Sequence, residues 1–132
     1  QFYDIFPPNL TLETLRQVIY QKTVTLFEVS FVFGWLFGGG DSFRIEQIKK
    51  SAYHFGMAFQ IADDLGDLAQ DVKNQREINL AKHIGKERAY IVFEEELKHF
   101  KVTLMELGLD TPAFKKMCDM LEQLAARNFE TL

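Results

Sequence analysis

Apolar residues in this chain recur at steps of three and four, and the runs break at glycine and proline. Pro7-Pro8 cannot lie inside a helix, so Gln1 to Asn9 reads as an entry segment. Thr11 can cap a first long helix, with Glu13 in the first turn complementing its dipole. The helical pattern continues to about Phe37, where Gly38-Gly39-Gly40 ends it. Asp41 and Ser42 can cap the next helix, in which Ile45, Ile48, Ala52, Phe55, Phe59 and Ala62 form a packing seam. Beyond Asp67, the polar stretch from Gln70 to Arg76 has no apolar period and predicts a loop. Asn79 to Ile84 predicts a short helix stopped at Gly85. Another begins near Lys86, with Ala89, Phe93, Leu97, Phe100, Leu104 and Leu107 on one side, and stops at Gly108. Thr111-Pro112 reads as N-cap and first helical residue of a last helix that turns Phe114, Met117, Leu121 and Leu124 inward. With no alternating strand pattern and no internal repeat, the prediction is all-α.

The second helix changes character towards its end. At about 100° of rotation per residue, Gln60, Asp63, Asp64 and Asp67 fall within roughly 100° of arc. Phe55, Phe59 and Ala62 flank this stripe on one side, and Met57, Ile61, Leu65 and Leu68 fill another. The three aspartates are the sole charges from Phe55 to Leu68, so the helix should be buried with its acidic face turned to a cavity. Carboxylates so close repel one another unless a cation neutralises them. Mg²⁺, which takes oxygen ligands and pairs one or two carboxylates with substrate phosphates, is the natural candidate. Taken singly, each Asp is also what a solvated helix face carries.

Lys22-Thr23 on the first helix is the candidate for the other wall. If the glycine turn makes the two helices antiparallel, Lys22 lies about 16 residues before it and Gln60 about 18 after, or roughly 24 and 27 Å along each axis. The two are nearly level. A lysine and a hydroxyl facing metal-binding carboxylates suit a diphosphate, whose oxygens need cation bridges and N–H or O–H donors. A snorkelling surface lysine is the alternative for Lys22.

Composition narrows the remaining classes. The chain has 132 residues, long enough for a real core, and 13 phenylalanines to fill it. A formal charge of −4 gives no basic footprint for nucleic acid. The single cysteine, Cys118, excludes an internal disulfide, suits a reducing compartment such as the cytoplasm, and sits on an apolar helix side as a core residue. Val24 to Phe37 is strongly apolar, but it is shorter than the roughly 18–20 residues of a spanning helix and contains Glu28, so a buried core helix is expected. The chain opens on Gln1 and shows no signal peptide, as a piece of a longer protein would.

Phe-Gln-x-x-Asp-Asp-x-x-Asp, from Phe59 to Asp67, resembles the second aspartate-rich motif of the trans-isoprenyl diphosphate synthases, the farnesyl and geranylgeranyl diphosphate synthase family. Lys22-Thr23 followed by Leu26-Phe27 is similar to that family's Lys-Thr motif, and the resemblance runs from about Ile19 to Ala89. It implies a helical bundle of the isoprenoid synthase type, with residues 1–132 as the C-terminal portion of a single synthase domain. The implied activity is prenyl transfer: Mg²⁺-assisted ionisation of an allylic diphosphate, addition of isopentenyl diphosphate, and loss of a proton. On this resemblance Asp63, Asp64 and Asp67 serve Mg²⁺, Lys22 and Asp63 are catalytic, and Lys22, Thr23 and Gln60 position the diphosphate. Some of Phe27, Phe31, Phe55 and Phe59 could keep water from the cation, or be core alone.

The match departs in two places. The family's other aspartate-rich motif, with arginines after it, is absent here, so the chain resembles the back half of a synthase and should be inactive by itself. A missing N-terminal half or a second chain would complete the site, and a homodimer is expected. The segment after Asp67 is shorter than the family's lysine-bearing loop, which leaves Lys73 and Lys82 as candidate substitutes or as ordinary solvated charges. A non-catalytic synthase-like subunit, or a plain helical interaction module, remains the competing reading.

Overall fold

The computed structural model describes residues 11–67 and 84–130. Every regular element among them is helical. The chain opens with α1 (Leu12–Ile19), passes through a π-helical turn (Tyr20–Val24) and continues as α2 (Thr25–Phe37). A 3₁₀ turn (Ser42–Arg44) leads into α3 (Ile45–Asp67), followed by α4 (Lys86–Glu106) and α5 (Pro112–Glu130). The expected loop from Gln70 to Arg76 and most of the expected helix from Asn79 lie outside the described residues.

Local chemistry sets these boundaries much as the pattern implied. The Thr14 N–H donates to Thr11 Oγ1 at 3.1 Å, satisfying one orphan donor at the start of α1. At α5 the Thr111 carbonyl accepts from Lys115 N at 2.9 Å, and Pro112 occupies the first helical position. Asp41 differs from expectation. Its side chain caps nothing, lies 3.9 Å from Arg44 Nε instead, and its carbonyl receives Trp35 Nε1 at 2.7 Å. The Trp35 indole thereby closes the Gly38–Gly40 turn that folds α2 back on α3.

The central helix is α3, packed against the π turn, α2, α4 and α5. Ile48, Ala52, Phe55 and Ala62 of the expected seam are buried, and so are Met57, Ala58, Ile61 and Leu65 on its other sides. Phe59 is the exception, partly open to solvent. All six expected inward residues of the following stretch, Ala89, Phe93, Leu97, Phe100, Leu104 and Leu107, are buried. Cys118 joins the same core, together with Leu121 and Ala125 of α5.

Helix α2 corrects one expectation. It was expected to be a buried core helix, but none of its residues is fully buried. Phe27 and Phe31 pack on the core from one side, while Leu26, Val29, Phe33, Leu36 and Phe37 face outward, Phe37 with 87% of its surface exposed. A helix apolar on all sides has been given a partner on one side only. Among the described residues no helix is long and apolar enough to cross a membrane.

Candidate functional site

The π turn and the acid-bearing end of α3 lie side by side. Their close approach requires Gly56: a Cβ there would stand 2.8 Å from Val24 Cγ2 and 3.2 Å from Val24 Cα. One turn further along α3, Thr23 Oγ1 donates to Gln60 Oε1 at 2.6 Å. Gln60 Nε2 in turn donates to Asp64 Oδ1 at 2.9 Å. A polar relay therefore runs from the Lys-Thr segment, through the Gln60 amide, to one of the aspartates. The axial arithmetic that set these helices level is realised as a direct hydrogen bond.

The π turn itself was not foreseen. Its i→i+5 bonding widens one turn of an otherwise α-helical run, a local irregularity that frequently accompanies functional sites. Nothing in an apolar periodicity distinguishes it from ordinary helix. Its effect here is to break the register between α1 and α2 where Thr23 meets Gln60.

The aspartates do not share one environment. Asp64 is 2% exposed and holds Gln60, whereas Asp63 is exposed and Asp67, one turn on from it, is half-buried. Residues four apart on a helix have Cβ atoms about 5–6 Å apart, so Asp63 and Asp67 can offer oxygens to the same side. Among the described residues no three His, Cys, Asp or Glu side chains converge as a preformed metal cage. That donor set fits a hard ion that keeps its waters and takes one or two carboxylates, the mode expected of Mg²⁺ beside a phosphate ligand. The Lys22 side chain, and all of Lys73 and Lys82, lie outside the described residues; the backbone of Lys22 is in the π turn beside Thr23.

Below the relay is a wall of rings. Phe27 meets Phe55 edge-on at 5.1 Å between centroids and Phe59 at 5.6 Å, and Phe55 lies 5.0 Å from Phe100 of α4. Phe31 touches both Phe55 and Phe100, extending the cluster towards the glycine turn. The cluster is closed at Phe55 and Phe100, which are buried, and open at Phe59, which is 39% exposed.

Two polar features escaped the sequence reading. On α3, His54 Nδ1 lies 2.7 Å from Glu96 Oε1 of α4, with both side chains largely buried and His99 stacked on the imidazole at 4.9 Å. On α5, Asn128 Nδ2 donates to the Ala62 carbonyl at 3.1 Å. The available signal for Asn128 was its spacing, seven residues after Leu121 and four after Leu124, which places an amide on the inward stripe.

The family model described as Polyprenyl synthetase matches residues 1–85, which contain the π turn and the whole of α3. The chain is 33% identical over 97 residues to a trans-prenyltransferase of African swine fever virus, covering 74% of this chain and 29% of that protein. It is 35% identical over 81 residues to the chloroplastic geranylgeranyl pyrophosphate synthase 11 of Arabidopsis thaliana, covering 61% of this chain and 21% of that protein. A chloroplastic geranylgeranyl pyrophosphate synthase of Capsicum annuum is 35% identical over 79 residues, 60% of this chain and 20% of that protein. The matched part thus spans between a fifth and three tenths of each relative's length. The matched span holds both motifs and the hydrogen-bonded relay that joins them, and on that footing the chain belongs to the polyprenyl synthetase family, the trans-isoprenyl diphosphate synthases.

Proposed function

We propose that this chain is the C-terminal portion of a Mg²⁺-dependent trans-prenyltransferase that condenses an allylic diphosphate with isopentenyl diphosphate to give a longer isoprenyl diphosphate. The observation that carries the reading is the Thr23–Gln60–Asp64 relay, which ties the Lys-Thr segment to the acidic row. Gln60 spends one amide hydrogen on Asp64 and has a second to offer a phosphate oxygen. Held by Thr23 on one side and Asp64 on the other, that amide is oriented before any ligand arrives. Lys22 would add a cationic donor from the same turn, with Lys73 and Lys82 as further donors from the segment after α3. Asp63 and Asp67, with Asp64 behind them, are the residues that would hold Mg²⁺. When bound, the ion supplies positive charge where negative charge grows on the departing diphosphate. The rings of Phe27, Phe55 and Phe59 keep water from the apolar chain attached to that diphosphate.

The exposed apolar row of α2 supports an incomplete active unit. Further helices of a synthase, from the same chain or from a second copy in a homodimer, would cover Leu26, Val29, Phe33 and Phe37 and complete the isopentenyl diphosphate site. The test is thermal unfolding of the chain with Mg²⁺ and inorganic diphosphate, singly and together. A ligand bound only by the folded state at a hundred times its Kd stabilises by about 2.7 kcal/mol, a rise of roughly 5–15 °C at this size. A shift that needs both ligands supports the reading; no shift with the pair removes it.

A further inference from the structure

The end of α3 that carries Asp63 and Asp67 is held by a helix with no part in the family match. Residues 1–85 align with the family model, whereas Asn128 belongs to the last turns of α5 (Pro112–Glu130). Its Nδ2 reaches the Ala62 carbonyl, one residue before Asp63, at 3.1 Å. The approach is possible because residue 66 lacks a side chain: a Cβ on Gly66 would stand 2.6 Å from Asn128 Nδ2 and 3.1 Å from its Cγ. The amide therefore lies directly over Gly66, on the face of α3 that adjoins Asp63. The turn that presents it is itself pinned, because Phe129 packs on Tyr90 at 4.9 Å between centroids and Lys86 Nζ sits 4.9 Å above the Phe129 ring. Three contacts thus fix the end of α5 to the start of α4 and to the acidic end of α3.

We infer that Asn128 is a positioning residue for the metal-diphosphate site, acting as a clamp that sets the angle at which α3 presents Asp63 and Asp67. In this role its amide acts through the α3 backbone, and Gly66 is the socket that admits it. The carbonyl of Ala62 is also the i−4 acceptor of the Gly66 amide in a regular helix, so the clamp bears on the turn that carries the acidic row. This inference rests on the metal-diphosphate reading above.

The test compares the wild-type chain with Asn128→Ala, Gly66→Ala and the double variant. Binding of inorganic diphosphate in the presence of Mg²⁺ is followed by calorimetry, and exchange of the Gly66 and Asp67 amides by NMR. Losing one net hydrogen bond at this turn should speed exchange about fivefold in Asn128→Ala and weaken diphosphate binding by a similar factor. Gly66→Ala should do the same although alanine is the better helix former, since the new methyl displaces the amide. In the double variant the two changes no longer collide, so exchange should slow again while diphosphate binding stays weak. That split separates positioning from mere stabilisation of the helix. If wild type binds and Asn128→Ala binds equally well, or if the double variant regains wild-type affinity, the positioning role falls and the metal-diphosphate reading stands. If wild type does not bind at all, that reading falls and the role assigned to Asn128 falls with it.

Discussion

Gln60 is the link whose removal tests the site most directly. It accepts from Thr23 at 2.6 Å and donates to the carboxylate of Asp64 at 2.9 Å, and Asp64 is 2% exposed. A hydrogen bond to a charged group contributes about 1.5–3 kcal/mol and a neutral one about 0.5–1.5 kcal/mol. Gln60→Leu keeps the size of the side chain and removes both bonds. Leucine recovers part of the loss because its side chain is apolar at a half-buried position, so the expected net destabilisation is about 2–3 kcal/mol. Thr23→Val removes the hydroxyl alone and should cost about 1 kcal/mol, because Gln60 is half-buried and water can reach its oxygen. Made together, the changes should be less than additive by about 0.5–1.5 kcal/mol, the strength of the shared bond. Urea unfolding with a constant m-value reads all three numbers. Additivity within the usual few tenths of a kcal/mol would show that Thr23 and Gln60 are not coupled, and the relay would have to be abandoned.

The close approach at Gly56 predicts that Gly56→Ala destabilises by about 0–2 kcal/mol, overpacking against Val24 outweighing the gain in helix propensity, and that it weakens Mg²⁺-dependent diphosphate binding; a more stable variant with unchanged binding refutes the steric argument. Burial pushes the Cys118 thiol up from its ordinary value, with Lys101 opposing. The folded value lies above the unfolded one, so the contribution is fully present below about pH 8.5 and is lost as pH rises through the folded value. The unfolding midpoint should therefore fall more steeply above that pH in wild type than in Cys118→Ala, and the native thiol should react slowly with a disulfide reagent until denaturant is added. On the outer face of α2, Phe33→Lys with Phe37→Lys should leave the unfolding free energy within about 0.5 kcal/mol of wild type, as exposed positions usually do, while lowering binding of a hydrophobic dye. A large loss of stability would mean that face is already packed.

Much of this architecture was legible because its signals are local. The stops at Gly38–Gly40 and Gly108, the Thr11 and Thr111 caps and the inward stripe of α4 each follow from chemistry within a few residues. That Lys22 and Gln60 stand nearly level followed from helical rise and one turn, and the hydrogen bond is made by the next residue, Thr23. What stayed hidden depends on neighbours distant in sequence. The outward face of α2 has the same composition as its inward face, so hydropathy could not say which side would lack a partner. The π turn leaves no trace in a pattern read at 3.6 residues per turn. Asn128 and the His54–Glu96 pair are polar groups on inward positions, and each takes its meaning from a partner more than 40 residues away.

The unequal burial of the aspartates follows from their spacing. Adjacent residues on a helix point about 100° apart, so Asp63 and Asp64 cannot face the same ligand equally. Gln60 and Asp67, seven residues apart, differ by only about 20° and lie between the two, so Asp63 and Asp64 form the opposite edges of the stripe. In this structure Gln60 and Asp64 are hydrogen-bonded to each other beside the π turn, Asp63 at the other edge is exposed, and Asp67 is half-buried. The row therefore has an exposed edge at Asp63 and an anchored edge at Asp64. The anchor needs a donor of its own, which a glutamine four residues earlier provides without adding charge. Glutamate in that place would set a second carboxylate against buried Asp64 and break the relay. Gln60→Glu should thus be more disruptive than Gln60→Leu despite its closer shape, and the ordering of their urea midpoints at neutral pH decides it. Should Gln60→Glu prove the more stable of the two, Asp64 would not be serving as a charged anchor, and the division of roles along α3 would be wrong.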